Sequence, residues 1–408
     1  MRRVRVIRRL PRHHPTVSGS TRTGAILSSG GLSFGGLPAR GRLVAPDPPS
    51  PPRPTPHHPA AAAVVAGSRT ATREPASRRS ILAVGLLVLL LIAGLLGVTQ
   101  PARAATPPSG EPADASRVGR ARVVAEEWVA SRQLDLTIQS PALGTTAKVR
   151  LLIPDGWRER RPGQRWPVLY LLHGCCGDYT SWTTLADITS IPALRDVLVV
   201  MPEAGNAGFY SDWWNDGHGG PPAWETFHLR EVRSIVERHY GASHRRVVAG
   251  LSMGGFGALS YAARHPGMFR AAASYSGVVD TVHTPGASDL VLDIASRYVD
   301  DPLALWGDPI AQAHVWAAHN PVDLATRLRT IPVYLSCGNG DAGPLDPPDR
   351  TSALETLLEQ ENLLLAQRLR DLGAKRLVTN FYGAGTHSWP YWEREFKRSL
   401  PLLLSALR

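Results

Sequence analysis

Residues 246–258 read Arg246-Val247-Val248-Ala249-Gly250-Leu251-Ser252-Met253-Gly254-Gly255-Phe256-Gly257-Ala258, and this stretch decides the fold. A short apolar run leads into a serine with glycine two residues to either side. Small residues then open a helical segment over 255–265. The G-x-S-x-G spacing suits a sharp strand-to-helix turn that holds its serine at positive φ, where a Cβ at either glycine would clash. The pattern predicts a nucleophile elbow with Ser252 at its tip.

Working outward, residues 134–139 and 148–153 alternate apolar and polar side chains about Gly144, the signature of a hairpin. Residues 168–172, 197–201, 247–249 and 333–336 are continuous apolar runs. Helix-length stretches at 224–240, 255–265, 352–372 and 393–407 separate or follow them. Continuous apolar strands alternating with helices mean a sheet buried on both faces. The expected architecture is α/β: an α/β-hydrolase fold, a mostly parallel central sheet with helices on both faces.

A serine hydroxyl needs a base to become a nucleophile. In this fold the order along the chain is serine, acid, histidine. Gly385-Thr386-His387-Ser388-Trp389 places His387 in a loop before the last helix, where the base belongs. Two acids compete for the third position. Asp341 follows the 333–336 strand through Cys337-Gly338-Asn339-Gly340, and strand position alone favours it; Glu355 lies further on. An oxyanion hole needs two backbone N–H groups. Met253, after the serine, supplies one. Leu171-Leu172-His173-Gly174-Cys175-Cys176-Gly177 supplies the other through Cys175. Trp213, Trp214 and Trp389 are candidates to line the cleft. No spacing of Cys, His or acidic residues suggests a metal site, and the chemistry calls for no cofactor.

From about Leu134 onward the chain resembles the antigen-85 type mycolyltransferases and the wider esterase D-like family of secreted α/β-hydrolases. The resemblance rests on Phe209-Tyr210-Ser211-Asp212-Trp213, Trp224-Glu225-Thr226-Phe227 and the elbow, and on His319-Asn320-Pro321, Cys337-Gly338-Asn339-Gly340, Leu354-Glu355, the His387 loop and Tyr391-Trp392. It implies Ser252, Glu355 and His387 as the catalytic residues, and the amides of Cys175 and Met253 as the oxyanion hole. It therefore moves the acid from Asp341 to Glu355. His173 stands where the mycolyltransferases carry an aspartate of the trehalose site, and Cys176 where they carry an arginine. Loss of those charged sugar contacts points to a serine esterase acting on small-molecule or lipid acyl esters. An acyltransferase to a sugar or glycerol alcohol is the alternative. An inactive surface-binding relative would have no need of all three catalytic side chains.

The formal charge of +11 on 408 residues is a property of one end. Residues 1–104 hold 15 arginines, no lysine, and only Asp47 and Glu74. That leaves 30 of the 45 basic and 32 of the 34 acidic residues in the remainder. The overall charge therefore gives no reason to expect a nucleic-acid partner. Residues 1–64 are rich in Arg, Pro, Gly and Ser and read as a disordered extension, or as untranslated if synthesis starts at Val64 or Val65. Arg78-Arg79, the apolar run 81–98 and Pro101-Ala102-Arg103-Ala104 read as a signal peptide within 65–104, cleaved after Ala104 or kept as a membrane anchor. The Ser77–Leu82 stretch also resembles a twin-arginine signal. Residues 105–130 read as a linker with a short helix, and 131–408 as the catalytic domain. A monomer, secreted and in association with the cell envelope, is expected. Among Cys175, Cys176 and Cys337 no disulfide framework is expected, because a bridge between neighbours closes a strained eight-membered ring; a bridge from Cys337 to one of them is the alternative.

Overall fold

The computed structural model describes residues 120–408. The expectations for 1–64 and for the signal or anchor within 65–104 lie outside the described residues. Nine strands form one sheet in the order β1-β2-β3-β5-β4-β6-β7-β8-β9. They are β1 Arg122–Ala130, β2 Gln133–Ser140, β3 Thr145–Leu152, β4 Trp166–Leu172, β5 Leu198–Pro202, β6 Ala242–Leu251, β7 Ala272–Tyr275, β8 Val333–Cys337 and β9 Leu377–Phe381. The pairs β1–β2, β2–β3 and β3–β5 are antiparallel, and every pair from β5–β4 to β8–β9 is parallel. Five helices matter below: α1 Arg233–His239, α2 Met253–Arg264, α3 Ala287–Ser296, α4 Ala353–Asp371 and α5 Trp389–Ala406. Among the described residues no helix is long and apolar enough to cross a membrane.

The continuous apolar strands have a direct explanation. Along β4, Val168, Tyr170 and Leu172 enter the core on one face of the sheet, while Leu169 and Leu171 enter the core on the other. Side chains alternate with period two, so a sheet covered on both sides demands an apolar residue at every position. The first core packs against α2 and α4, and the second packs against α5 through Trp392, Phe396, Leu400 and Leu403.

Three expectations are corrected here. Residues 122–130 are not linker or helix: they form β1, an edge strand paired with β2 along its length. Its side chains are almost all exposed, so no apolar period marked it as a strand. Cys175 and Cys176 are joined as a disulfide. Cys176 takes the left-handed conformation, φ 64°. Cys337 is free and buried. The segment expected as one helix over 224–240 is a short α-turn, a π-helical stretch Phe227–Val232, and then α1.

On α4, Glu361 is fully buried. One carboxyl oxygen accepts from the Asp280 N–H at 3.3 Å, and the other has no partner. Burial, with Asp280 beside it, pushes its carboxyl well above the usual range. The folded protein thus keeps a proton that the unfolded chain releases, and stability falls as pH rises above the ordinary glutamate range. Glu361→Gln removes that penalty. Melting followed by circular dichroism should show the variant a few degrees more stable than wild type at pH 8, and the two converging near pH 4.

Candidate active site

Ser252 follows β6 and caps α2 with φ 53° and ψ −123°, a conformation rare for a non-glycine residue. The surroundings hold it there. The Ser252 N–H donates to Tyr275 O at 3.0 Å, and its carbonyl accepts from Gly255 and Phe256 at 2.9 and 3.1 Å. The flanking glycines are needed for approach. A Cβ on Gly250 would run into the Gly254 backbone, and one on Gly254 would run into the carbonyls of Leu172 and His173. The end of β4 therefore packs directly on the elbow, bringing the 173–177 loop beside Ser252.

His173 fixes that loop. It is buried; its Nδ1 bonds to Gly174 O at 2.8 Å, and its Nε2 accepts from the Ala204 N–H at 3.0 Å. This pairing assigns the proton to Nδ1. Burial holds its pKa below the usual value, so the ring is neutral. Tyr210 donates to the His173 carbonyl at 2.8 Å. The N–H groups of Cys175 and Met253 donate to no other group among the described residues.

His387 and Glu355 arrive from the opposite side. Ser352 caps α4 and accepts from the Glu355 N–H at 3.2 Å, which sets Glu355 in the first turn of the helix. Its carboxylate is fully buried, and Oε2 lies 2.7 Å from His387 Nδ1. Oε1 accepts from Ser276 Oγ at 2.7 Å, Gly338 N at 2.8 Å and Tyr382 Oη at 3.3 Å. Burial pushes the carboxyl up, but His387, Ser276 and Gly338 more than offset it and leave it below the ordinary glutamate value. The His387 loop is tied down by Asp346, which accepts from Thr386 Oγ1, from the Thr386 N–H at 3.2 Å and from Tyr391 Oη at 2.8 Å. Trp392 meets the His387 ring edge to face, with centroids 4.8 Å apart.

Ser252, His387 and Cys175 line one cavity of about 650 Å3. Its walls are mostly apolar, from Leu185, Leu251, Leu290, Ile294, Leu354 and Trp389, with Arg297, Asp293 and Arg350 also lining it. Among the described residues no hydrogen bond joins Ser252 Oγ to His387, though both line the same cavity.

The structure thus brings Ser252, His387, Glu355 and the Cys175 loop together, with Met253 next to the serine. It does not bring in Asp341, which is exposed and bonds to Asn339 within its own turn. Strand position alone favoured an acid that has no bond to His387; the carboxylate that meets His387 is Glu355. Trp389 lines the cavity, but Trp213 and Trp214 do not. Trp213 is buried with its indole N–H on Gly208 O, and the Trp214 N–H binds Leu305 O. Ser276, Tyr382 and Asp346 went unrecognised in the sequence. They carry no motif of their own, and only the fold places them beside Glu355 and His387.

The sheet, the elbow and the His387–Glu355 pair beside one cavity define an α/β-hydrolase-fold protein. A family model described as "Putative esterase" matches residues 140–403, and the chain belongs to that esterase family. An esterase of Mycobacterium tuberculosis (strain H37Rv) is 33% identical over 244 residues, covering 57% of this chain and 50% of the relative. The chain spans about half the length of that relative. The diacylglycerol acyltransferase/mycolyltransferase Ag85B of Mycobacterium avium is 29% identical over 283 residues, 66% of this chain and 82% of the relative. The crystal structure of Mycobacterium tuberculosis MPT51 superposes with a TM-score of 0.57 at 22% identity, covering 68% of this chain and all of that one. This last likeness concerns the fold.

Proposed function

We propose that the protein is a serine esterase that cleaves carboxylic acyl esters through an acyl-enzyme. The observation that carries this reading is the buried Glu355 carboxylate 2.7 Å from His387 Nδ1, with His387 facing the cavity that also holds Ser252 at the strained elbow. His387 Nε2 takes the Ser252 proton as the hydroxyl attacks the ester carbonyl. The N–H groups of Cys175 and Met253 receive the oxyanion, and the proton passes to the departing alcohol. Glu355 fixes the His387 tautomer and stabilises the imidazolium. Water then repeats the sequence on the acyl-serine and releases the acid. Every step uses groups of the chain itself.

The apolar walls suit an aliphatic or aromatic acyl group, and the volume lies within the usual range for small-ligand sites. Water is favoured over a sugar as acceptor. The side chain at 173 is a buried neutral histidine occupied with Gly174 and Ala204, and position 176 offers a sulfur. Neither can make a charged fork to a sugar diol. The similarity to Ag85B keeps acyl transfer as the competing reading. Residues 78–104 of the sequence support export, so the substrate is met outside the cytoplasm.

The test is turnover of p-nitrophenyl esters from acetyl to palmitoyl, with and without trehalose or glycerol. The proposal expects free acid as the product and a rate insensitive to either additive. Accumulation of acylated trehalose or glycerol, with a faster rate, would establish the transferase instead.

A further inference from the structure

Nine of the described arginines pair with a carboxylate; the others do not, and five of those others cluster. Arg132, Arg150, Arg195, Arg233, Arg246, Arg264, Arg297, Arg394 and Arg398 each pair with a carboxylate. Arg158, Arg160, Arg161, Arg165 and Arg238 pair with none among the described residues. Yet all five, with His239, line one surface depression of about 390 Å3. Four belong to the connection between β3 and β4, and Arg238 comes from the end of α1. Three of the five side chains make contacts that leave the charge uncompensated. Arg160 donates to the carbonyls of Trp157 and His239, Arg238 to Ser234 O, and Arg165 to its neighbour Gln164 O. Nearby acids do not cancel them: Glu159 is exposed in the same connection, Glu126 is engaged with Tyr240 Oη, and Glu127 lies further along β1. Five guanidinium groups around one depression, four of them exposed, make a locally positive surface that attracts anions.

The margin of this patch includes an exposed tryptophan. Arg158 lies 3.8 Å over the ring of Trp128 on β1, which is 39% exposed, and Val124 and Val129 of the same strand are 46% and 42% exposed. Arginines bordered by an exposed tryptophan match an anionic lipid surface: guanidinium groups meet the phosphates while the amphipathic ring sits at headgroup depth. A soluble polyanion would use the arginines and leave the tryptophan in water.

We infer that this patch is a docking surface for an anionic phospholipid membrane. Its place in the fold gives the docking a consequence. The patch lies where β4 and β6 begin, whereas Cys175 and Ser252 follow the ends of those same parallel strands. A protein docked here turns its cavity away from the membrane, toward substrates on the far side. This inference does not depend on the esterase reading.

The test is hydrogen–deuterium exchange of the full chain with vesicles of phosphatidylglycerol and phosphatidylcholine, beside vesicles of phosphatidylcholine alone. This readout is local, so binding through the arginine-rich N-terminal residues does not obscure it. Residues 156–165 and 236–241 should exchange several-fold more slowly on the anionic vesicles only, with residues 173–177 unaffected. Replacing Arg158, Arg160, Arg161 and Arg165 by glutamine should abolish that slowing, and replacing them by lysine should largely keep it. A circular dichroism melt confirms that each variant is folded. Unchanged exchange in these segments on anionic vesicles would overturn the inference, as would equal slowing in the glutamine variant. Slowing by inorganic polyphosphate but not by vesicles would assign the patch to a soluble polyanion and would also overturn it.

Discussion

Ser252→Ala is expected to lower kcat for a p-nitrophenyl ester by about a million-fold, to the residual rate that an oxyanion hole and binding alone provide. The size of the effect follows from the chemistry. Without the hydroxyl there is no acyl-enzyme, and His387 and Glu355 have no nucleophile to activate. The protein itself is barely disturbed. Ser252 Oγ makes no hydrogen bond among the described residues, so its removal orphans no partner. The backbone contacts that hold the elbow, from Ser252 N to Tyr275 O and from Gly255 and Phe256 to Ser252 O, are untouched. The melting temperature should therefore stay within about 2 °C of wild type. A large drop in kcat together with a large drop in melting temperature would mean that the alanine had damaged the fold, and the variant would then say nothing about chemistry.

Glu355→Gln is expected to lower kcat by roughly a thousand- to ten-thousand-fold, and unlike the serine change it should also destabilise. Both carboxylate oxygens face donors. Oε2 faces His387 Nδ1, and Oε1 faces Ser276, Gly338 and Tyr382. A glutamine has one acceptor oxygen and one donor amide, so one side of this arrangement must fail. If the amide nitrogen faces His387, it draws the proton to Nε2, the atom that must accept from Ser252. If it faces the other way, it meets the Gly338 N–H and leaves that buried donor unpaired, at a cost of about 1–3 kcal/mol. The stability difference carries a pH signature. The Glu355 carboxyl is held below its ordinary value of 4.5, so its contribution is present above that pH and is lost as pH falls through the folded-state value. Wild type and variant should differ in melting at pH 7 and converge under acid. Asp341→Asn is the control: that side chain bonds only within its own exposed turn, and kcat should not change. A large loss from Asp341→Asn beside a small one from Glu355→Gln would reverse the assignment.

The sequence carried the fold well where burial dictated composition. β4 and β5 had to be apolar at every position, and the elbow needed glycine at 250 and 254, so both could be read directly. β1 was illegible because its exposed side chains carry no period, and only pairing with β2 makes it a strand. At the site, Ser252 and His387 were marked by local motifs. The acid was not. Asp341 and Glu355 both follow β8, and local sequence cannot tell which carboxylate turns inward; α4 and its Ser352 cap decide it. Ser276, Tyr382 and Asp346 reach the site from distant elements and leave no local trace. The Cys175–Cys176 link was not legible either, because a pair of adjacent cysteines does not by itself mark a bridge.

The most direct measurement is covalent labelling. The wild-type protein is incubated with a fluorophosphonate, digested, and the modified peptide mapped by mass spectrometry. An activated serine displaces fluoride and keeps the phosphonate, whatever acyl group or acceptor the enzyme prefers. A single adduct on Ser252, absent after denaturation and strongly slowed in His387→Ala, is the predicted result. A folded protein that takes no label at Ser252, or that takes it on another residue, would contradict the assignment of Ser252 as the nucleophile.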